Sequence, residues 1–156
     1  AAYTPSASNL HSVRWKIIDS PQQIEGLRQE LLPYYRDGST EKVRSHYVNA
    51  EEGRDSLLRG APCVILAMAP VGAPWGCTDC AAAVSYLELA LLARGIGSCW
   101  AGSIVQVARS RPLASLGLPE GYALHGALMA GYPAVHWRRL PLRSPGRVLF
   151  NEDASL

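Results

Sequence analysis

Hydrophobic and polar positions along the chain mark out strands alternating with helices. Pro5, Ser6, Ala7, Ser8 and Asn9 are rich in turn formers and read as a loop. Residues 13–18 (VRWKII) are β-branched and aromatic, the pattern of a strand. Ser20, Pro21 and Gln23 predict a helix start, with Ser20 as cap, Pro21 at the first helical position and Gln23 closing a capping box. Ile24, Leu27, Leu31 and Leu32 then share one face of a helix that weakens at Pro33 and ends by Asp37 and Gly38. Residues 38–50 are polar and aperiodic and predict a mobile surface segment. A short helix is expected over 50–59, closed by Gly60.

Residues 63–69 (CVILAMA) form an unbroken apolar run, which suits a central strand covered on both faces. After a loop over 70–76, Thr78 or Asp79 is expected to cap a helix over 80–94. That helix is apolar nearly all round, which predicts burial, and its alanines allow close approach of another helix or subunit. Gly95 stops it. Residues 98–101 predict a short strand, 105–116 a helix broken at Pro112, 118–121 a turn and 122–130 a third buried strand. An Arg- and Pro-rich tail follows, with a last strand expected over 147–150. The alternation gives an α/β or α+β domain.

Composition narrows the classes. The chain has 156 residues, 48% hydrophobic and 18% charged, enough for one compact domain with a core and too apolar for a disordered chain. A net charge of +2 with no long basic block gives no case for nucleic acid. Every apolar stretch stops well short of the roughly 20 residues of a membrane span. Four Cys are too few for a disulfide scaffold. The chain has neither an initiator Met nor a charged-then-apolar leader, so no signal peptide is expected, and Ala1-Ala2-Tyr3 reads as the last turn of a helix that starts before it.

Candidate chemistry is sparse. Cys77 and Cys80 form a C-x-x-C pattern after a buried strand and at a helix start. That is the setting of a thioredoxin-like pair, weighed against Cys80 as a small buried apolar residue. In the run from Gly95 to Gly102 a helix ends and a strand begins, the reverse of a dinucleotide fingerprint, so the glycines read as a helix stop followed by close backbone packing, and Gly102 also leaves backbone N–H groups free to meet a ligand. Arg138, Arg139, Arg143 and Arg147 offer either a solvated face or a phosphate clamp. His11, His46, His125 and His136 have no nucleophile at triad spacing, and His125 sits in a buried strand. Missing acid–base machinery points to chemistry carried by a bound cofactor, or to no chemistry.

Three stretches in order resemble the nitroreductase family of flavoproteins. They are Ala2 to Asn9 followed by Trp15; Arg59-Gly60-Ala61-Pro62, Asp79-Cys80, Tyr86-Leu87-Glu88-Leu89-Ala90 and Gly95-Ile96-Gly97-Ser98-Cys99-Trp100-Ala101-Gly102; and Leu116-Gly117-Leu118-Pro119-Glu120-Gly121-Tyr122 with Gly131-Tyr132-Pro133 and the Arg-Pro tail. Tyr86 to Ala90 and the tail resemble the branch often fused to a ferredoxin-type iron–sulfur domain, whose cluster signature the four dispersed Cys do not supply. The resemblance implies one α+β domain over 1–156, with a central mixed β-sheet flanked by helices. It implies a cytoplasmic homodimer whose C-terminal segment reaches the partner, with FMN at the interface. NAD(P)H would reduce the flavin, which would pass electrons to a nitroaromatic, quinone or related small-molecule acceptor in ping-pong fashion, without metal, nucleic acid or membrane.

Residue by residue, the resemblance implies that Pro5, Ser6, Ala7 and Asn9 lie against the flavin ring, generally from the partner subunit. Trp100, Ala101, Gly102 and Ser103 would lie beside its reactive edge, the amides of Gly102 and Ser103 reaching N5 and O4. Arg143, with Arg139 second, would reach the phosphate. The family's N-terminal helix and Arg-Arg-Ser motif are not in this sequence, and His11-Ser12 stands where Gln-Pro is usual. Two other readings stand beside this one: a thiol–disulfide redox protein using Cys77 and Cys80, and a catalytically degenerate flavin-binding or dimerisation module.

Overall fold

A computed structural model of the chain describes residues 3–135, 138–139, 142–144 and 146. Four strands build one sheet: β1 (Arg14–Ile18), β2 (Cys63–Pro70), β3 (Gly97–Trp100) and β4 (Tyr122–Gly131), in the order β1-β2-β4-β3. Four helices accompany them: α1 (Pro21–Arg36), α2 (Glu41–Glu51), α3 (Gly76–Leu92) and α4 (Gly102–Ser110). The α+β class is as expected, but among the described residues the sheet is not mixed. Every pairing among the described residues is antiparallel. The reason is topological: β2 and β3 run the same way, as a strand–helix–strand crossover requires, but β4 inserts between them and opposes both. The strand expected over 147–150 falls outside the described residues.

Period-two alternation splits the core into two layers. Ile18, Val64, Leu66, Met68 and Met129 face one way and meet Leu27 and Leu31 of α1 and Ile104 and Val107 of α4. Ile65, Ala67, Ala69, Leu128 and Ala130 face the other way and meet Cys80 and Val84 of α3. Ala67 pairs with Gly126 and Met68 with Leu124, so His125 is the extra residue of a β-bulge on β4.

Several local expectations change. Ser20 has the extended backbone of a cap, but its hydroxyl donates to Gln22 Oε1 at 2.8 Å, and no capping box forms. Helix α1 passes through Pro33 and ends at Arg36, because Pro33 lies in the last turn, where its carbonyl still accepts from the Asp37 amide at 3.2 Å. The segment expected to be mobile is α2. Thr40 caps it, accepting from the Val43 amide at 3.2 Å, and Val43 and Tyr47 pack on the core at i, i+4 spacing. The helix expected over 50–59 does not form as such: α2 has ended by Glu51. The Asp55 carboxylate accepts the amides of Leu57, Leu58 and Gly60 (2.9–3.1 Å), a side-chain-to-backbone turn that competes with helix. Thr40→Ala should cost about 1 kcal/mol, read as a fall of roughly 2–4 °C in the thermal midpoint.

Helix α3 starts earlier than expected, at Gly76 after Trp75, so neither Thr78 nor Asp79 is its cap. It closes on Gly95 in the left-handed region (φ 73°), with the Gly95 amide on Leu92 O and the Ile96 amide on Leu91 O. Its apolar surroundings are one-sided: Cys80, Ala83 and Val84 are buried, while Tyr86, Leu89 (66% exposed) and Leu92 (70%) face away from the sheet. No described helix is long and apolar enough to cross a membrane.

Candidate functional site

The loop after Tyr3 is held in an unusual shape. Ser8, Asn9 and His11 all have positive φ (48–54°), a conformation that disfavours side chains and that clusters at functional sites. Local bonds fix it: the Asn9 amide donates to Ser6 O, the His11 amide to Ser6 Oγ at 2.9 Å, and the His11 imidazole bonds Asn9 Oδ1 at 2.8 Å. A long-range bond anchors it: the Ala7 amide donates to Asp79 Oδ1 at 2.9 Å, and Asp79 is a buried carboxylate (7% exposed) in the first turn of α3. Pro5, Ser6, His11, Trp15, Asp79 and Ala83 wall a cavity of about 460 Å³. Ala7 and Asn9 do not line it; Ala7 is tied to Asp79, and the exposed Asn9 to His11.

The second segment is built at the end of β3. The Ala101 amide donates to Ala127 O at 2.8 Å, which ties the strand end to β4. The Trp100 indole donates to Glu88 Oε2 at 2.7 Å, so α3 fixes the ring's orientation. Gly102 opens α4, whose N-terminus has no side-chain cap. By helix geometry the first amides, Gly102 and Ser103, lack intrahelical acceptors. A Cβ at Gly102 would meet nothing within 4 Å, so the backbone there is open to a ligand. The Ser103 side chain turns inward and hydrogen-bonds the Tyr35 phenol, whose pKa burial raises. Trp100, Gly102, Gln106, Arg109, Cys77 and His125 border a cavity of about 630 Å³.

The structure therefore groups the expected residues in two places, not one. Cys77 and Ala81 of α3 border the Gly102 cavity, whereas Asp79 and Ala83 border the loop cavity. At 100° per residue these pairs sit about 200° apart, on opposite faces of α3. Within one chain the loop and the Gly102 edge do not share a pocket. Arg139 and Arg143 are exposed and line neither cavity. Arg147 and His136 lie outside the described residues.

The cysteine pair divides. Cys80 is fully buried against the sheet, and burial pushes its thiol up to about 12; Cys77 is exposed. His125 is half-buried, and burial first, then the Arg109 charge, holds it below the ordinary histidine range. Sequence reasoning did not single out Arg109 or Gln106. Their signal was the i, i+3, i+4, i+7 spacing of Gly102, Val105, Gln106 and Arg109 along α4. Asp79 was read as a cap rather than an anchor; a lone acid in an apolar first turn was the clue.

Similar folds are known. A nitroreductase with bound FMN from Bacteroides fragilis is 21% identical, with a TM-score of 0.76 over 96% of this chain and 81% of that one. An iodotyrosine deiodinase bound to FMN and 3-iodo-L-tyrosine is 22% identical, with a TM-score of 0.68 over 96% and 82%. An FMN-dependent nitroreductase from Mycobacterium smegmatis in complex with NADPH is 22% identical, with a TM-score of 0.56 over 85% and 73%. The family model for nitroreductases matches residues 1–132, so the chain belongs to the nitroreductase family.

Proposed function

We propose that this chain is an FMN-dependent oxidoreductase that takes electrons from NAD(P)H and passes them to a nitroaromatic, quinone or related acceptor, at a site completed by a second copy. The observation that carries the reading is the division of the site: the Pro5–Ser6 wall and the open Gly102 edge are both formed, on opposite faces of α3. A ring held by both needs two chains. The exposed Tyr86, Leu89 and Leu92 on α3 supply apolar surface for such a partner. Solved structures of the same fold contain FMN, and one contains NADPH.

The residues present fit a flavin. Gly102 leaves room for close approach, and its cavity is of ligand size. When bound, FMN supplies a two-electron carrier that accepts and returns hydride. The Gly102 and Ser103 amides would donate to the ring's N5–O4 edge and stabilise negative charge there. Trp100, held by Glu88, walls that edge. The partner's copy of the 5–9 loop, held by its own carboxylate anchor, covers the ring and excludes water. Arg143 and Arg139 are the tail residues assigned to the phosphate. No side-chain nucleophile or base is required, in keeping with the scattered histidines.

Incubation with FMN, followed by gel filtration, should give a yellow protein whose colour NAD(P)H bleaches without oxygen and a nitroaromatic restores. Flavin that stays oxidised under excess NADH and NADPH would contradict the reading.

A further inference from the structure

The Gly102 cavity has a cationic end that the flavin-edge reading does not use. Arg109 borders it and makes no ion pair among the described residues. His125 borders it too, because the bulge on β4 takes this residue out of register. Its Nε2 atom lies 3.6 Å from where a Cβ on Gly76, the first residue of α3, would sit. No described Asp or Glu lines the cavity. The first turn of α4, which carries no acid, borders it at Gly102 and adds partial positive charge of the same sign.

We propose that Arg109 and His125 form an anion-recognition pole for the electron acceptor, taking a carboxylate on an aromatic acceptor whose ring rests near Gly102, while the cofactor's phosphate stays with the tail arginines. This rests on the flavin reading of the same cavity. Gly102 and Arg109 lie seven residues apart on one helix face, about 10 Å along the axis. An aromatic acceptor carrying a carboxylate, with the arginine side chain reaching toward it, spans a comparable length. The guanidinium provides paired donors to two anion oxygens. The neutral imidazole donates one N–H at the bulge. Arg109 and His125 are binding residues; neither touches the reacting atoms.

The test compares wild type with Arg109→Gln, Arg109→Lys and His125→Leu. FMN and riboflavin affinities come from fluorescence titration. KM values are measured for para-nitrobenzoate and nitrobenzene. Thermal midpoints are recorded with and without inorganic phosphate, which needs no flavin. In Arg109→Gln both flavins bind as in wild type, and the KM for para-nitrobenzoate rises about 10- to 100-fold while that for nitrobenzene stays. Phosphate raises the wild-type midpoint and not that of Arg109→Gln, Lys recovers part of the loss, and His125→Leu shows a smaller change of the same kind. An unchanged para-nitrobenzoate/nitrobenzene ratio with equal phosphate shifts, or FMN weakened in Arg109→Gln with riboflavin unchanged, would overturn the proposal. Wild type that binds neither flavin but is stabilised by phosphate through Arg109 would keep the pole and remove the flavin reading.

Discussion

Gly102→Leu should remove flavin binding and leave the fold standing. The two effects separate because of local geometry. A Cβ at Gly102 meets nothing within 4 Å, so the larger side chain displaces no protein atom. Gly102 opens α4 without a positive φ, so leucine is compatible with the backbone and is the better helix former. The same side chain projects into the cavity and covers the amides of Gly102 and Ser103. Loss of preorganised donors of this kind costs about 100-fold or more. Titration of FMN against flavin fluorescence should show that loss, while the thermal midpoint stays within roughly 2 °C of wild type. FMN affinity within threefold of wild type would remove Gly102 from the site.

Asp79→Ala should weaken both the fold and the site. The carboxylate is buried and accepts the Ala7 amide at 2.9 Å across 72 residues of sequence. Truncation leaves that amide unsatisfied beside the sheet and opens a small gap. The cost is about 1–3 kcal/mol, or roughly 4–8 °C in the midpoint for a loss near 2 kcal/mol. The second consequence is functional. Ser8, Asn9 and His11 hold positive φ angles that a free loop would relax. Without its anchor the loop loses its preorganised shape, and FMN affinity should fall about tenfold or more. Asp79→Asn keeps an acceptor oxygen and should recover most of both losses. Differential scanning calorimetry and flavin titration on the same samples check the pair. A stable Asp79→Ala protein with unaltered FMN affinity would show that the loop needs no tether.

Much of the fold was legible because its driving terms are local and strong. The apolar runs at 63–69 and 122–130 became β2 and β4, the centre of the sheet. The glycine stop at Gly95 and the break at Pro112 also stand where expected. Helix α2 was hidden because its apolar face is thin: Val43 and Tyr47 are only partly buried, and the Thr40 cap carries the signal that the periodicity does not. The antiparallel sheet was hidden because strand alternation does not reveal that β4 inserts between β2 and β3. In the site, the open backbone at Gly102 could be read from residue type, but not its place as the first residue of α4, since the helix was expected only from 105. The Asp79 anchor could not, because its partner is distant in sequence. His125 was read as a core histidine because a bulge that re-aims a side chain depends on cross-strand register.

In the proposed dimer, each flavin site takes its loop from one copy and its Gly102 edge from another. Mixing tests it directly. Asp79→Ala and Gly102→Leu proteins, each deficient in FMN binding alone, are unfolded together, refolded at equal concentration and titrated with FMN. In a two-fold dimer each mixed pair carries one site with both defects and one with neither, so about a quarter of the wild-type sites should return at wild-type affinity. A mixture that binds no more FMN than the average of its two parents would contradict the shared site.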